Sequence, residues 1–483
     1  MNQKQAFLFL VLAILISLFM HAPHFGKDIM SFHSWRQSQT QATINNFYEE
    51  DMNITHPRRL ARGNGDGIKR MEFPLMQWLI AASYHVFGPS VLLSRIIVYG
   101  LSILSILGMY LLLLAPFKKQ ILAVMGTWAF TFSPTFYYYS INPQPDNMAL
   151  TAGIWGLALF FSWLNQKKSH LLWLSALFLA ISTLCKLPFI AFYMAPFVYF
   201  LKQLKLENKA VIIKQGAVFF LLSLFPITWY AWVIPTWDAN PIIRGMLEQR
   251  EALSRLLYYF QFNLISNLPE LLLNYGSVLF FLSGFYFLKK NKAYKDKRFP
   301  LILGVSLTVL AYYLFEANAI AKVHDYYLFP FLPLLFILVG YGAYNLYVSK
   351  QKAWRYFTLF ALAILPLTCY LRMKDRWNPE SPGFNPDLLK YKSELQAAVP
   401  DDALVVTGND ISSCIFLYYI DKKGWSFTDG HLSGEELKQL SQDGAEYLYI
   451  DSEAFIQRED IKTRLAEKVG QFGSVYIFKL KKD

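Results

Sequence analysis

The sequence predicts a polytopic α-helical membrane protein with about 11 spans, its N-terminus inside and its C-terminus outside, followed by a small C-terminal α/β domain. Of its 483 residues, 54% are hydrophobic and only 17% are charged, whereas a soluble domain carries about 25% charged residues. The apolar residues are gathered in runs close to the roughly 20 residues that a spanning helix needs. From about Arg376 these runs shorten and charge returns, which indicates the start of a soluble domain.

The apolar runs place the spans near 5–22, 91–115, 120–138, 148–165, 170–186, 188–203, 211–235, 269–288, 299–317, 326–348 and 353–371. The first run is followed by His-Ala-Pro-His-Phe-Gly, which offers no small-residue cleavage site, so we expect the first span to be retained. The run Pro74–Phe87 is too short to span and ends at Gly88-Pro-Ser90. We therefore predict that it is an interfacial helix within the first outer loop, 23–90.

Lysine distribution sets the predicted orientation. With the N-terminus inside, the even-numbered connections are cytoplasmic, and they carry Lys118-Lys119, Lys167-Lys168, Lys202/Lys205/Lys209, the lysine-rich stretch 289–298 and Lys350/Lys352. An excess of basic residues marks cytoplasmic connections. The outer face then receives the polar parts of the chain: 23–73, Asn142–Asn147, 236–268, Asn318–Tyr327 and the C-terminal domain.

The C-terminal domain is predicted to begin at residue 376, after a transmembrane domain of residues 1–372. Strand-like and helix-like pieces alternate in it: Ala403–Thr407, Ile411–Ile420, Gly434–Gln442, Glu446–Ile450, Asp460–Val469 and Ser474–Leu480. This alternation favours a largely parallel sheet.

The net charge of +12 does not indicate a nucleic-acid partner. The basic residues lie mostly in short linkers between apolar runs, where they orient spans and meet anionic lipid headgroups. Cys185, Cys369 and Cys414 are too dispersed for a disulfide framework or a cysteine-based metal site.

Three outer-face carboxylates are candidate catalytic groups. Glu72 precedes the interfacial helix, Asp146 is the only acidic residue of its short outer loop, and Asp325 begins a late span. A carboxylate is stabilised at a helix N-terminus, so a capping role explains each of them alone. Capping explains less well why three such carboxylates lie on the same predicted face.

Basic residues and two histidines are further candidates for the site. The first outer loop is cationic, with Arg36, Arg58, Arg59, Arg62, Lys69 and Arg70. Guanidinium groups suit phosphate, although contact with lipid headgroups would explain them too. His33 and His324 are candidate acid–base groups or metal ligands, but the sequence lacks a His-x-x-x-His spacing.

The order of these motifs resembles that of the GT-C membrane glycosyltransferases. A first span and a long polar loop with Trp35-Arg-Gln37 and Glu72-Phe-Pro-Leu75 are followed by Pro143-Gln-Pro-Asp146 before a span and a late His324-Asp-Tyr-Tyr327. The resemblance covers roughly residues 1–370. It is to glycosyltransferase family 39, which includes the protein O-mannosyltransferases, and to the lipid A aminoarabinose transferases.

The resemblance implies roles for particular residues. Glu72 matches the acidic position of the family's Glu-Lys-Pro element, in which Phe73 replaces the lysine. Asp146 matches the acidic residue of the second loop, and His324, Tyr326 and Tyr327 match the late element near the donor phosphate. The family also carries an early first-loop Asp as base candidate, whereas His33–Gln39 holds no carboxylate. Glu72, Asp146 or His33 takes that role, or the substrate departs from the family norm, or the chain is inactive.

The resemblance implies an inverting transfer of a sugar from a polyprenyl-phosphate donor to a glycan, lipid or protein acceptor on the outer face of a bacterial cytoplasmic membrane. Glu72, Asp146 and His33 are then the catalytic candidates. The donor phosphate would be bound by Arg36, Arg58, Arg59, Lys69, Arg70, His324, Tyr326 and Tyr327. Cationic side chains or a divalent metal would stabilise the leaving phosphate, and the sequence leaves the metal requirement open. The alternatives are a lipid or sugar transporter or flippase, and a non-catalytic scaffold of the same fold.

Overall fold

The computed structural model describes residues 1–204, 209–237, 252–321, 324–428 and 431–482. Lys205, Lys322 and residues 238–251 of the predicted 236–268 connection lie outside the described residues.

The described residues up to 262 contain the helices α1 Gln3–His21, α2 Ser34–Glu49, α3 Leu75–Phe87, α4 Val91–Phe117, α5 Gln120–Thr131, α6 Pro134–Tyr139, α7 Pro145–Gln166, α8 Ser169–Cys185, α9 Met194–Gln203, α10 Lys209–Val233 and α11 Leu253–Phe262. The later helices are α12 Val278–Lys290, α13 Phe299–Phe315, α14 Ala317–Ile320, α15 Leu332–Tyr347, α16 Lys352–Met373, α17 Pro386–Lys390, α18 Lys392–Ala397, α19 Ile415–Ile420, α20 Gly434–Gln442, α21 Glu453–Ile456 and α22 Glu459–Lys462. Shorter 3-10 turns occur at Ala22–His24, Leu187–Tyr193, Ile234–Thr236, Ala293–Lys295, Asp325–Phe331 and Lys374–Trp377, and a π-helical segment covers Asn263–Leu272.

Among the described residues, six helical segments are long and apolar enough to cross a membrane: Gln3–His24, Val91–Phe117, Pro145–Gln166, Lys209–Thr236, Asp325–Tyr347 and Lys352–Trp377. The helices α5, α8 and α13 are apolar but shorter. The predicted membrane-helical class is confirmed, while the count of about 11 spans and the N-in orientation stay predictions. The predicted interfacial run forms the 13-residue helix α3.

The chain divides into two compact units. The first, here called the helical unit, comprises Met1–Phe25, Met71–Phe73 and Arg95–Lys374. The second, here called the loop–sheet unit, comprises Gly26–Arg70, Pro74–Ser94 and Asp375–Asp483. Most of the first predicted outer loop thus falls in the same compact unit as the C-terminal segment.

Small residues let the helices of the helical unit approach closely, as is usual in membrane bundles. A Cβ at Gly342 of α15 would overlap the Phe280 carbonyl oxygen of α12, and one at Gly284 would lie 2.5 Å from the Leu338 carbonyl oxygen. The Ser182 hydroxyl of α8 donates to the Ala149 carbonyl of α7 over 2.6 Å. This bond holds the end of α8 beside the beginning of α7.

The sheet of the loop–sheet unit has the strands β1 Leu404–Gly408, β2 Lys423–Ser426, β3 Tyr447–Ile450, β4 Leu465–Phe472 and β5 Val475–Leu480 in the order β2-β1-β3-β5-β4. The strand β1 pairs in parallel with β2 and β3, whereas β5 pairs antiparallel with β3 and β4. The prediction of a largely parallel sheet is therefore wrong, and the sheet is mixed. One reason is the tight turn between β4 and β5, where Gly473 has a φ of +60°. So short a connection permits only an antiparallel β4–β5 pair.

Helices and loops from the first predicted outer loop share an apolar core with this sheet. Ile29, Ala42 and Leu60 are buried in one cluster with residues of α19 and β5. Asp28 accepts a hydrogen bond from the Tyr418 hydroxyl over 2.9 Å and forms an ion pair with Lys392 at 2.5 Å. The Tyr419 hydroxyl donates to the Ile29 carbonyl. Segments nearly 400 residues apart in sequence thus form one folded unit.

Candidate functional site

The candidate site of the helical unit begins with Asp146. It lies in the first turn of α7, just after Pro145, and only 2% of its surface is exposed. Pro at the first helical position has the φ angle that the helix requires, and the N-terminal end of the helix favours a negative charge. Lys186 Nζ lies 3.5 Å from Asp146 Oδ2. The pair therefore joins two residues that are 40 positions apart in sequence.

Lys186 occupies a break between two helical segments. The helix α8 ends at Cys185, Lys186 adopts an extended conformation (φ −159°, ψ 114°), and the 3-10 turn Leu187–Tyr193 follows. Pro188 disfavours a continued α-helix in the residue before it. Because the regular helix stops here, the ammonium group is directed to the beginning of α7 while the stem stays largely covered, with 12% of the side chain exposed.

Aromatic rings flank the ammonium group of Lys186. Its Nζ lies 5.2 Å from the Tyr327 ring centroid and 5.9 Å from that of Tyr326, within the range of a cation–π interaction. The two rings stack on each other with centroids 4.7 Å apart. Both belong to the 3-10 turn that precedes α15, so this turn delivers the late tyrosines of the sequence motif to Lys186.

The two residues before these tyrosines are held by neighbouring groups. Asp325 Oδ1 accepts a hydrogen bond from the Tyr139 hydroxyl over 2.6 Å. His324 Nδ1 lies 2.6 Å from the Ala319 carbonyl oxygen, which requires the proton to be on Nδ1. Burial lowers the pKa of His324, with the Lys186 charge acting in the same direction, so this imidazole is neutral at pH 7.

Glu316 adds a further carboxyl group to this region. It follows the last residue of α13, one residue before the predicted end of that span, and is 8% exposed. Glu316 lies near Lys186, since the charge of Lys186 acts on its carboxyl group.

Glu72 belongs to the same helical unit. Its neighbours are fixed by two hydrogen bonds: the Phe73 amide donates to the Leu184 carbonyl and the Trp229 indole donates to the Met71 carbonyl, each over 3.0 Å. The segment that carries Glu72 therefore lies beside the end of α8, and its contact Leu184 is two residues before Lys186. The charges of Glu72 and Asp146 both act on Cys185, the last residue of α8.

The remaining predicted residues belong to the loop–sheet unit, where several have protein partners. Arg58 lies 3.6 Å from Glu50 and 3.4 Å from Asp51. Arg36 donates to the Gln39 side chain over 2.7 Å, and Arg70 donates to the Thr55 carbonyl over 2.7 Å.

Backbone hydrogen bonds organise the rest of this basic segment. The amides of Arg59 and Lys69 donate to the carbonyls of Gly67 and Pro57, so residues 57–69 fold back on themselves. His33 is 6% exposed and precedes α2 with a φ of +56°. The structure thus groups Glu72, Asp146 and the late His/Tyr element in the helical unit, and the early basic residues with His33 in the loop–sheet unit.

A metal site was left open by the sequence. Within the part of the chain that the structure describes, no three His, Cys, Asp or Glu side chains converge on a point where they could hold a metal ion. We therefore assign no step of the chemistry below to a metal.

Comparisons with known proteins support one fold. A family model for dolichyl-phosphate-mannose-protein mannosyltransferases matches residues 72–230. ArnT from Cupriavidus metallidurans in the apo state is similar with a TM-score of 0.68 at 10% identity, over 99% of this chain and 98% of ArnT. ArnT bound to undecaprenyl phosphate matches with a TM-score of 0.66, the same identity and the same coverage. Over nearly its whole length this chain has the fold of ArnT.

A third solved structure has a similar fold. The archaeal oligosaccharyltransferase AglB from Archaeoglobus fulgidus, solved with an inhibitory peptide and a dolichol-phosphate, matches with a TM-score of 0.58 at 13% identity, over 98% of this chain and 74% of AglB. No curated protein sequence matches this chain significantly. The resemblance predicted from the motifs is confirmed, and the matched segment 72–230 contains Glu72, Asp146 and Lys186.

Sequence reasoning missed three residues. Lys186 was treated only as part of an uncertain break between spans, although a lysine within an apolar run is a signal in itself. Glu316 was assigned to the end of a predicted span and was not considered as a site residue. Asp28 is a first-loop carboxylate five residues before His33, but its partners Lys392 and Tyr418 lie too far along the chain for the sequence to indicate them.

Proposed function

We propose that this chain is an inverting glycosyltransferase that transfers a sugar from a polyprenyl-phosphate donor to a hydroxyl group of a cell-envelope acceptor on the outer face of a bacterial cytoplasmic membrane. The observation that carries the proposal is the group formed by Asp146, Lys186, Tyr326 and Tyr327 in the helical unit. A largely buried ammonium between a carboxylate and two aromatic rings is suited to binding an anion. The fold shared with undecaprenyl-phosphate-bound ArnT supports a polyprenyl phosphate as that anion.

Lys186 is the proposed contact to the donor phosphate. Its charge would stabilise the negative charge that develops on the phosphate oxygen as the sugar leaves, an effect that commonly contributes most to such catalysis. Phe73 stands where the family has a lysine, and Lys186 lies just beyond the Leu184 carbonyl that binds the Phe73 amide. Lys186 would therefore supply the cation that position 73 lacks. Arg36, Arg58, Arg59, Lys69 and Arg70 remain secondary candidates because several of them already have protein partners.

Glu72 is the proposed base, and Asp146 the proposed positioning residue. The ion pair with Lys186 makes Asp146 an anchor for the ammonium group. The Glu72 carboxylate would take the proton of the acceptor hydroxyl while the acceptor oxygen forms a bond to the anomeric carbon. The bond from that carbon to the donor phosphate oxygen breaks on the opposite face, and its electron pair leaves with the polyprenyl phosphate. Attack opposite the leaving group inverts the configuration of the anomeric carbon.

Mass spectrometry of cell-envelope glycans tests this function in cells. A strain that lacks the chain is expected to lose one sugar from one envelope component. Wild-type protein should restore that sugar, and a Glu72→Gln variant produced at the same level should not. An unchanged glycan profile without the chain under every growth condition would contradict the proposal and favour a non-catalytic scaffold. A sugar that is restored equally by Glu72→Gln would overturn the choice of base.

A further inference from the structure

A long apolar groove runs along one side of the helical unit, distant in sequence from Glu72, Asp146 and Lys186. It has a volume of about 460 Å³ and is bounded by α12, α13 and α15, with the end of α4 closing one end. Lining side chains include Phe285, Leu303, Leu310, Leu335 and Leu338. Phe285 and Leu303 are 52% and 41% exposed, so the groove opens towards the surroundings of the bundle.

The groove walls suit a hydrocarbon chain better than a polar ligand. The two hydroxyl groups that line it are already engaged, since Ser306 donates to the Ile302 carbonyl over 2.9 Å and Tyr341 accepts from the Asn291 side chain over 3.2 Å. A polar ligand would lose its hydration without regaining hydrogen bonds there. An alkyl chain would exchange one apolar environment for another and gain close contacts.

The length of the groove corresponds to one leaflet of a bilayer. Along α13 the lining extends from Phe299 to Leu310, which is about 16 Å at 1.5 Å per residue. The hydrocarbon core of a bilayer is about 30 Å thick. One leaflet accounts for about half of this thickness. A single acyl chain that enters from one polar interface is therefore about as long as the groove.

The end of the groove near Phe299 is strongly basic. The connection 289–298 contains five lysines and Arg298 against a single acidic residue, Asp296. Arg298 is already bound to Asp296 and to the Pro116 carbonyl, so it closes the groove and leaves the lysines as the excess charge. Basic clusters beside transmembrane helices attract anionic headgroups.

We propose that the groove binds one acyl chain of an anionic phospholipid whose headgroup lies on the lysines of 289–298. The charge of this connection selects the headgroup, and the apolar walls hold the chain. With the predicted orientation the lipid belongs to the cytoplasmic leaflet. This site is independent of the sugar-transfer chemistry, so its presence or absence leaves the proposed function untouched.

Native mass spectrometry of the full-length protein in detergent tests the proposal, with phosphatidylglycerol and phosphatidylcholine as the added lipids. The wild-type chain is expected to retain one phosphatidylglycerol with at least about tenfold preference over phosphatidylcholine. Ser306→Phe and Leu303→Trp fill the groove from a half-buried and an exposed position, and each should reduce retention at least about fivefold. The matched control is Leu307→Phe, on the same helix but outside the lining and 57% exposed, which should bind as the wild type does.

A second pair of variants tests the headgroup contact. Replacing Lys289, Lys290 and Lys292 together by Gln should reduce the preference for phosphatidylglycerol roughly tenfold. Replacing Lys350 and Lys352 by Gln, in another predicted inner connection, should leave it unchanged. Equal retention of both lipids by the wild type, or unchanged retention by both groove-filling variants with wild-type melting temperatures, would overturn the proposal. Displacement of the bound lipid by stoichiometric undecaprenyl phosphate would also overturn it, because the groove would then hold a donor tail.

Discussion

At the scale of single residues, the proposed function depends most on Lys186. Its ammonium group lies between Asp146 on one side and the rings of Tyr326 and Tyr327 on the other. A charged group that is 12% exposed must be compensated, and here the compensation is partly carboxylate and partly aromatic. Under the proposed function, the donor phosphate would meet a cation that its protein partners hold in position.

Replacing Lys186 by Gln is expected to weaken the binding of undecaprenyl phosphate roughly 10- to 100-fold, because a hydrogen bond to a charged group contributes about 1.5–3 kcal/mol. Lys186→Arg should recover part of this loss. The measurement is equilibrium binding of the lipid to the full-length protein by microscale thermophoresis.

The control for this prediction is Lys167→Gln. Lys167 also lies over aromatic rings, with Nζ 4.5 Å from the Trp163 ring centroid and 2.9 Å from the Tyr199 hydroxyl, but it is at the other end of α7. Its replacement should leave lipid binding unchanged. Equal losses for Lys167→Gln and Lys186→Gln would show that the effect is a general one of charge and would contradict the assigned contact.

At the scale of elements, close helix contacts hold the helical unit together. The helices α12 and α15 meet backbone to backbone at Gly284 and Gly342. Gly342→Ala places a methyl group against the Phe280 carbonyl, so we expect a loss of about 1–3 kcal/mol in unfolding free energy. Gly100→Ala in α4 is the control, because a Cβ there has no heavy atom within 4 Å and Ala favours helices by up to about 1 kcal/mol. Thermal unfolding in one detergent compares them, and equal melting temperatures would contradict the close contact.

A polar contact joins the first predicted outer loop to α19 in the loop–sheet unit. Asp28 binds the Tyr418 hydroxyl and Lys392. A double-mutant cycle with Asp28→Asn and Tyr418→Phe should give a coupling free energy of about 0.5–3 kcal/mol. Asp28→Asn should lower the melting temperature and keep the turnover number of the folded enzyme. A variant with wild-type stability and no turnover would instead identify Asp28 as the missing first-loop base.

At the scale of the whole molecule, hydropathy predicts the helices well because each apolar run is a local property. The runs predicted at 91–115, 148–165 and 170–186 correspond to α4, α7 and α8 within a few residues. The sheet was less predictable, because the pairing direction of β5 depends on the turn that precedes it. The common folding unit of the first loop and the C-terminal segment could not be predicted, since it depends on contacts such as that of Asp28 with Lys392.

The candidate site shows the same division between local and long-range information. The sequence identified Asp146, Tyr326 and Tyr327 from short motifs at the ends of spans. It did not identify Lys186, because the proximity of Lys186 to Asp146 depends on the packing of α8 against α7. The arginines of the first outer loop were predicted to bind phosphate because that loop is cationic, yet Arg58 already pairs with the carboxylates of Glu50 and Asp51. Charge counted along a sequence does not reveal which charges are already paired.

The most direct test of the central claim is the transfer of a radiolabelled sugar from a panel of undecaprenyl-phosphate sugars by the purified chain in detergent, with cell-envelope extract as acceptor. Detergent solution has no compartments, so a transporter or flippase gives no signal in this assay. We predict that one donor is consumed with release of undecaprenyl phosphate, and that Glu72→Gln and Lys186→Gln each reduce turnover at least about 100-fold while Lys167→Gln does not. Consumption of a donor at the wild-type rate by both Glu72→Gln and Lys186→Gln, or of no donor by the wild type, would contradict the account.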